Sequence, residues 1–318
     1  MNVTNQSSYP TAYSLTIDDE REGQRLDNFL ITHLKGVPKS HIYRLVRKGE
    51  VRINKKRAQV SDRLISGDIV RIPPLQVATI SESTVAKTRN SLLTAAILYE
   101  DEVLAVLNKP AGLAVHGGSG IDGGVIEHLR QLRPQHKFLE LVHRLDKDTS
   151  GCLIIAKKRS ALLPLHEQFR QNAVQKTYLA LLTGVWQTKQ QTVDKPLLKQ
   201  SDKEGDQRVI ISRAGKSAIT DFRRLQRFQQ LTLVEAKPHT GRTHQIRVHA
   251  ANLGHPIVGD ERYGIQSLNF QLRKRGYSRL FLHAKTLKFT HPLTAEILEI
   301  HAPLPNDLQQ LLSNETKF

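Results

Sequence analysis

Cysteine is nearly absent from this 318-residue chain: there is one, Cys152, and it lies in an apolar run. A single thiol excludes an internal disulfide and a cysteine-based zinc site, and it fits a reducing cytosol. Long hydrophobic runs are missing too; none approaches the roughly 20 residues that a membrane-spanning helix needs. The N-terminus, MNVTNQSSYPTAYS, is polar and lacks the apolar segment of a secretory signal. There is no internal repeat and no low-complexity tract. Acidic residues are scarce relative to basic ones: Asp+Glu number 30 against 47 Lys+Arg, a formal net charge of +17. Such an excess favours polyanions through counterion release. An anionic membrane would call for a basic amphipathic helix with a Trp/Phe/Leu face, and no such helix is evident. Nucleic acid is therefore the expected partner. With 39% hydrophobic and 24% charged residues, the chain reads as globular, long enough for one large domain and a small one.

The small domain is expected over residues 18–74, after a loose tail at 1–17. RLDNFLITHL (25–34) places Leu26, Phe29, Leu30 and Leu34 at helical spacing. Pro38, Ile42, Leu45 and Val46 mark a second short helix closed by Gly49. EVRIN (50–54) alternates as a strand, and GDIVRIP (67–73) reads as a turn and a strand. Arg44, Arg47, Lys48, Lys55, Lys56 and Arg57 gather at the end of the second helix and in the loop beyond it. A solvated basic helix would look similar, but charge placed there suits contact with RNA phosphates. Residues 75–94 are polar and small, without a period, and read as a linker.

The large domain is expected over 95–318. It begins with a hairpin at 97–110, then a strand at 152–156, an amphipathic helix at 159–172 and a strand at 176–184. Two strands follow within 218–238, then a helix at 242–254. RLFLHAKTLKF and EILEIHAP give two late strands, and LPNDLQQLLS a closing helix. Many strands with few helices between them predict an α+β fold with a mixed, largely antiparallel sheet.

The stretch HRLDKDTSG (143–151) carries the clearest chemical signal. Asp146 stands between Arg144 and Lys147, in a turn before an apolar strand. The backbone can aim such an acid, and nearby cations favour its charged form. Taken alone, the nonapeptide fits a surface turn with local salt bridges equally well. Arg247 in HQIRVH is the natural countercharge, because a planar guanidinium can grip and orient a carboxylate. Tyr178 in KTYLAL offers a ring to stack on a base and a hydroxyl for proton transfer, though a core tyrosine is the simpler reading of it alone. Lys109 in NKPAG, at a hairpin end, is either an RNA contact or a surface lysine that packs a turn.

Weaker signals stand beside these. HGGSGIDGG (116–124), before a helix starting near Val125, could cradle phosphate. It lacks the GK[ST] ending of a P-loop, so a flexible turn is the better reading. His244 and His249 do not form H-E-x-x-H, which argues against zinc. Asp146 and Asp148 would share a face in extended backbone, as a glycosidase pair would, but the basic surroundings disfavour a protonated acid there.

The small domain resembles the S4 RNA-binding module through RLDNFL, SHIYRLVRKGEVRINKKR and GDIVRIP. That likeness implies a helix-turn-helix plus small sheet that binds structured RNA. In the large domain five blocks occur in order: LNKPAGLAVHGG (107–118), LVHRLDKDTSG (141–151), KTYLALLTG (176–184), GRTHQIRVHAANLGHPIVGDERYG (241–264) and RLFLHAKTLKFTHP (279–292). Together they resemble the pseudouridine synthases that modify large-subunit ribosomal RNA.

The resemblance implies an isomerase that breaks the N1–C1′ bond of uridine, turns the held uracil, and joins C5 to C1′. It implies Asp146 as nucleophile at the ribose or as base at C2′, Arg247 paired with it, and Tyr178 stacked on the uracil. Arg144 would fill the gap left by a flipped nucleotide, and Leu282 would lie under the base. No cofactor and no metal are implied. The implied partner is 23S ribosomal RNA or a large-subunit precursor particle, met in the cytoplasm by a monomer. The alternative is a non-catalytic RNA-binding ribosome-assembly factor using the same basic surface. An RNA glycosylase using Asp146 and Asp148, and a DNA-binding helix-turn-helix protein, are further readings.

Overall fold

The computed structural model describes residues 8–9, 11–34, 37, 39–76, 93, 96–117, 123–201 and 207–316. The small domain is built from strands β1 (Ser8–Tyr9) and β2 (Tyr13–Thr16), helices α1 (Leu26–His33) and α2 (Lys39–Arg47), and strands β3 (Arg52–Ile53), β4 (Lys56–Arg57), β5 (Ile69–Ile72) and β6 (Leu75–Gln76). A four-stranded sheet runs β2-β5-β3-β4, and β1 pairs with β6. Leu26, Phe29, Leu30 and Leu34 meet Ile42, Leu45 and Val46 in one core, so the helical periodicity marks the buried faces. Buried Asp27 ties the helices together by accepting from Arg25 in α1's lead-in and from the Tyr43 hydroxyl of α2. Gly49, at φ +73°, ends α2 in the left-handed conformation that glycine adopts without strain. Asn54 and Lys55, at φ 49° and 67°, turn β3 into β4 with the twist that two-residue hairpins favour.

Two expected boundaries are corrected. The segment 1–17 is not wholly a loose tail: Tyr13–Thr16 pairs with Ile69–Ile72, and Ile17 is buried. Ser8–Tyr9 pairs with Leu75–Gln76, which moves the far edge of the domain past residue 74. Both strands are too short to show a period in sequence, and only sheet pairing reveals them. Of the remaining linker, Leu93 is buried, and 77–92 and 94 lie outside the described residues, as does residue 95 at the start of the large domain.

The large domain contains β7 (Ile97–Glu100), β8 (Leu104–Lys109), α3 (Val125–Leu132), β9 (Glu140–Leu141), β10 (Ser150–Ala156), α4 (Arg159–Arg170), β11 (Gln175–Thr183) and β12 (Gln190–Asp194). It continues with β13 (Leu197–Ser201), β14 (Gln207–Ile211), β15 (Ile219–Arg227), β16 (Leu231–Pro238), α5 (Gln245–Asn252), α6 (Gln266–Lys274), β17 (Leu282–Thr290), β18 (Ile297–His301) and α7 (Asn306–Asn314). A ten-stranded sheet runs β12-β15-β16-β11-β17-β10-β8-β7, with β18 on β17 and β9 on β10. Every pairing in it is antiparallel except β10 with β17. This is the α+β, largely antiparallel architecture that the strand-rich pattern predicts.

Strand β10 is buried along its whole length, as its apolar run requires. Cys152, Ile154 and Ala156 pack with Ala161 and Leu165 of α4 on one face. Leu153 and Ile155 pack with Val125, Ile126 and Leu129 of α3 on the other. A separate core joins β11, β15 and β16 to α5, α6 and α7. Tyr178 on β11 packs against both this core and the α3 side of β10, so it stands where the two halves of the sheet meet.

The β13–β14 hairpin, β12 and α6 leave little mark in the sequence. The segments QQTVD and LLKQS are largely polar, QRVII is apolar only over its last three residues, and α6 buries only Asn269 and Leu272. None presents an apolar stripe for periodicity to find. Among the described residues, no helix is long and apolar enough to cross a membrane.

Candidate active site

The loop carrying Asp146 is pinned from several sides. Thr149 N–H donates to the Asp146 carbonyl at 3.2 Å, closing a four-residue turn. Before it, His143 Nε2 accepts from the Ile154 amide at 3.0 Å while its ring stacks on Phe169 at 4.7 Å. Burial pulls the His143 pKa down to about 3, so the ring stays neutral and Nε2 remains free to accept. After it, Ser150 Oγ accepts from Arg279 Nη2 at 2.7 Å and lies 2.9 Å from His283 Nδ1. His283 Nε2 donates to the Ala302 carbonyl at 3.2 Å, which leaves Nδ1 to accept the serine proton.

Gly151 then enters β10 at φ +110°. A Cβ there would lie 2.2 Å from the Ala284 carbonyl oxygen on β17. The glycine is what lets the parallel strands approach. Ala284 pairs with Gly151 on one side and with Tyr178 on the other. The end of the Asp146 loop and Tyr178 thus occupy one row of the sheet. The register of β11 against β17 shifts between Thr177 and Tyr178, where β17 carries one extra residue, Lys285.

Arg247 rises from α5. Its Nε and Nη2 donate to the two carboxylate oxygens of Asp260 at 2.7 and 2.8 Å, and its Nη1 lies 3.5 Å from Asp146 Oδ2. Asp260 is 1% exposed and also accepts from the Arg262 and Tyr263 amides. Burial alone would raise the Asp260 pKa, but the hydrogen bonds and charge of Arg247 outweigh it and hold it below the usual carboxylate range. Burial likewise opposes the charge on Arg247, yet Asp260 and then Asp146 raise its pKa. The guanidinium is therefore fixed by one acid and presented to another. Its carbon also sits 5.1 Å from the centre of the Tyr263 ring. His244, immediately before α5 at φ 53°, brings Nε2 to 3.8 Å from the same Asp146 oxygen. The Asp146 side chain stays one-fifth exposed.

The other sequence-singled residues fall in three places. Tyr178 is half-buried, and burial, followed by the charge of Asp146, raises its pKa, so its hydroxyl keeps its proton at neutral pH. Lys109 is fully buried, with Nζ donating to the carbonyls of Pro110, Leu113 and Lys147 at 2.8, 2.8 and 3.0 Å. It straps the NKPAG turn to the Asp146 loop. Burial pulls its pKa down to about 7 against the opposing charge of Asp148. Leu282 is buried in the core of the β11 half.

Arg144 is exposed, and no hydrogen bond or ion pair ties its guanidinium among the described residues. Arg44, Arg47, Lys48, Lys55, Lys56 and Arg57 are all exposed in the small domain. The Arg57 guanidinium donates to the Arg47 carbonyl, drawing the hairpin cations to the end of α2. In the glycine-rich stretch, the Gly117 and Gly124 amides donate to Glu127 Oε2 at 3.0 and 2.8 Å; residues 118–122 lie outside the described residues.

Sequence reasoning missed Asp260, His244 as a neighbour of Asp146, and Tyr263. All three fall in the quoted block 241–264, but their partners are set by the fold. Among the described residues, no group of three or more His, Cys, Asp or Glu could hold a metal ion.

Comparison with known proteins places this geometry. A family described as RNA pseudouridylate synthase matches residues 103–252, and the S4 domain family matches 24–70. A Yersinia pestis protein named ribosomal large subunit pseudouridine synthase C is 53% identical over 309 residues, covering 96% of this chain and 97% of that protein. Its Haemophilus ducreyi namesake is 52% identical over 313 residues, covering 98% of each. Among solved structures, human RNA pseudouridylate synthase domain containing 4 superposes with a TM-score of 0.59 at 29% identity, covering 72% of this chain and 96% of that one. Human RNA pseudouridylate synthase domain containing 1 gives 0.58 at 30%, covering 70% and 88%. Alike along nearly its whole length, this chain belongs to the ribosomal large subunit pseudouridine synthase C family and is an rRNA pseudouridine synthase, an isomerase.

Proposed function

We propose that the chain converts specific uridines of 23S ribosomal RNA, free or in a large-subunit precursor particle, to pseudouridine, with Asp146 as the reacting group. The observation that carries this is a partly exposed carboxylate faced by a guanidinium that is itself clamped on a buried acid. Two routes use that carboxylate: attack at ribose C1′, or removal of the C2′ proton. In either, the N1–C1′ bond breaks, the uracil turns, C5 bonds to C1′, and the C5 proton is lost as N1 gains one. Atoms and charge balance within the substrate, so no cofactor or activated water is called for.

Arg247 holds Asp146 in place and stabilises its charge. Tyr178, protonated and set at the junction of the sheet, stacks on the turning uracil and lies near its C5 proton. Lys109 acts by fixing the loop, since its ammonium is turned to carbonyls. Arg144 enters the gap left by the everted nucleotide, and Leu282 supports the floor beneath the base. The six exposed cations of the S4 domain supply affinity for the RNA backbone. The reading places a monomer in the cytoplasm.

The test is to map pseudouridine across rRNA in cells lacking this chain, then restore wild type or Asp146→Asn. Sites that return with wild type and stay unmodified with Asp146→Asn support the reading. Restoration by Asp146→Asn, or no change on deletion, refutes it. Free uracil and abasic sites would identify a glycosylase instead.

A further inference from the structure

One chain of hydrogen bonds near Asp146 has no part in the reaction as described above. It starts outside the active site, on the β13–β14 hairpin. The Val209 amide of β14 donates to the Tyr263 hydroxyl at 3.1 Å, and that hydroxyl lies 2.9 Å from His244 Nδ1. The hydroxyl has one proton to give, and Nδ1 is the sole acceptor within reach of it among the described residues. Tyr263 therefore donates to Nδ1. Burial lowers the His244 pKa, which favours the neutral ring. A neutral imidazole that accepts at Nδ1 carries its proton on Nε2. That Nε2 is the atom 3.8 Å from Asp146 Oδ2.

Two donors thus converge on one carboxylate oxygen, Arg247 Nη1 and His244 Nε2. The other oxygen, Oδ1, accepts nothing among the described residues. The Arg247 approach is a long hydrogen bond at 3.5 Å and the His244 approach, at 3.8 Å, is longer than a formed one, as is common before substrate closes a site. Tyr263 governs both donors. Its ring faces the Arg247 guanidinium and its hydroxyl orients His244, while its amide holds Asp260.

We propose that His244 and Tyr263 are positioning residues for Asp146, linked to the main chain of the β13–β14 hairpin. They hold Oδ2 between two donors and leave Oδ1 turned to the ribose. The proposal rests on the reading that Asp146 reacts. It adds that docking of the hairpin, which packs Val209 with Leu197, Ala218 and Val248, sets the aim of the acid.

The test compares four variants in single-turnover pseudouridine formation on 23S rRNA at saturating enzyme, with RNA Kd and thermal midpoint measured alongside. Tyr263→Phe keeps the ring under Arg247 and removes only the hydroxyl. His244→Asn tolerates the left-handed backbone and matches Nδ1 but cannot reach Asp146. His244→Gln extends an amide to the place of Nε2. The expectation is a rate about tenfold or more below wild type for Tyr263→Phe and His244→Asn, with Kd within about twofold, and recovery to within about threefold for His244→Gln. Unchanged rates, losses that appear in Kd alone, or His244→Gln no better than His244→Asn would overturn the proposal. If His244→Asn does not fold, Tyr263→Phe decides. Asp146→Asn separates the two claims: should it remain active, the reading of the site fails. Should it be dead while Tyr263→Phe is normal, only the positioning chain fails.

Discussion

In the S4 domain the cations point outward: Arg44, Arg47, Lys48, Lys55, Lys56 and Arg57 are all exposed. In the catalytic domain three charged residues that brace the Asp146 loop or its arginine point inward, while Arg144, Lys147 and Asp148 beside Asp146 stay exposed. Lys109 is 0% exposed, Asp260 1% and Arg247 9%, and each is held by fixed partners. Outward charges act on a phosphate backbone almost independently and are screened by salt. Inward ones act as a unit, because removing one partner strands another in a dry site. On the proposed reading, one chain thus separates grip from chemistry by where it puts similar side chains.

The sharpest way to break this contrast is at Asp146. Asp146→Asn should lower the rate of pseudouridine formation by about 10³-fold or more while RNA Kd stays within about twofold. A matching loss of affinity would show that the two regions share the task of binding. Next comes the support beneath the loop. Gly151→Ala must place a methyl against the Ala284 carbonyl, and should destabilise the fold by about 3–4 kcal/mol. The thermal midpoint would then fall; a normal midpoint would show that β10 and β17 can spread at no cost.

The outward charges should behave differently. Changing Arg44, Arg47, Lys48, Lys55, Lys56 and Arg57 together to Gln should weaken RNA binding roughly a hundredfold at moderate salt. The slope of log K against log salt should flatten by about 0.7–0.9 for each phosphate that is no longer neutralised, with the saturated rate unchanged. A lower saturated rate at an unchanged slope would erase the division.

The smallest effect concerns the end of β7 in the catalytic domain. Glu100, held by Arg133 and Lys157, has its pKa lowered from 4.5 to about 2, chiefly by the Arg133 hydrogen bond, with burial opposing and Lys157 assisting. The folded form releases this proton more readily than the unfolded one. Its contribution is therefore full above about pH 4.5 and fades as pH falls toward 2. Allowing for solvent screening, Glu100→Gln should cost about 1 kcal/mol at neutral pH and little at pH 2, read as urea midpoints across that range.

Much of this molecule is legible in its sequence because burial writes periodic patterns. Leu26, Phe29 and Leu30 announce α1, and the run from Cys152 to Ala156 announces β10, since packing into a core forces each. The acid, the arginine and the tyrosine of the site are legible through motif composition. What is hidden is pairing between distant parts. The spacing of residues cannot say that Arg247 takes Asp260 as its main partner, or that a bulge falls at Tyr178. Nor can it show that Lys109 turns its ammonium inward; a lysine in a turn reads as exposed until the carbonyls of Pro110, Leu113 and Lys147 are seen to enclose it. The β13–β14 hairpin is hidden for another reason: its short strands bury only Leu197 and Val209, in a small separate cluster.

The lone parallel pairing in the large sheet has a temporal meaning. Ser150 and His283 are neighbours in space but 133 positions apart along the chain. A ribosome makes the Asp146 loop long before it makes the strand that steadies it. Until β17 arrives, Gly151 has no Ala284 carbonyl to lie against. On the proposed reading of Asp146, activity waits for a nearly finished chain, a sensible order of events for a catalyst whose family acts on the RNA of the machine that builds it.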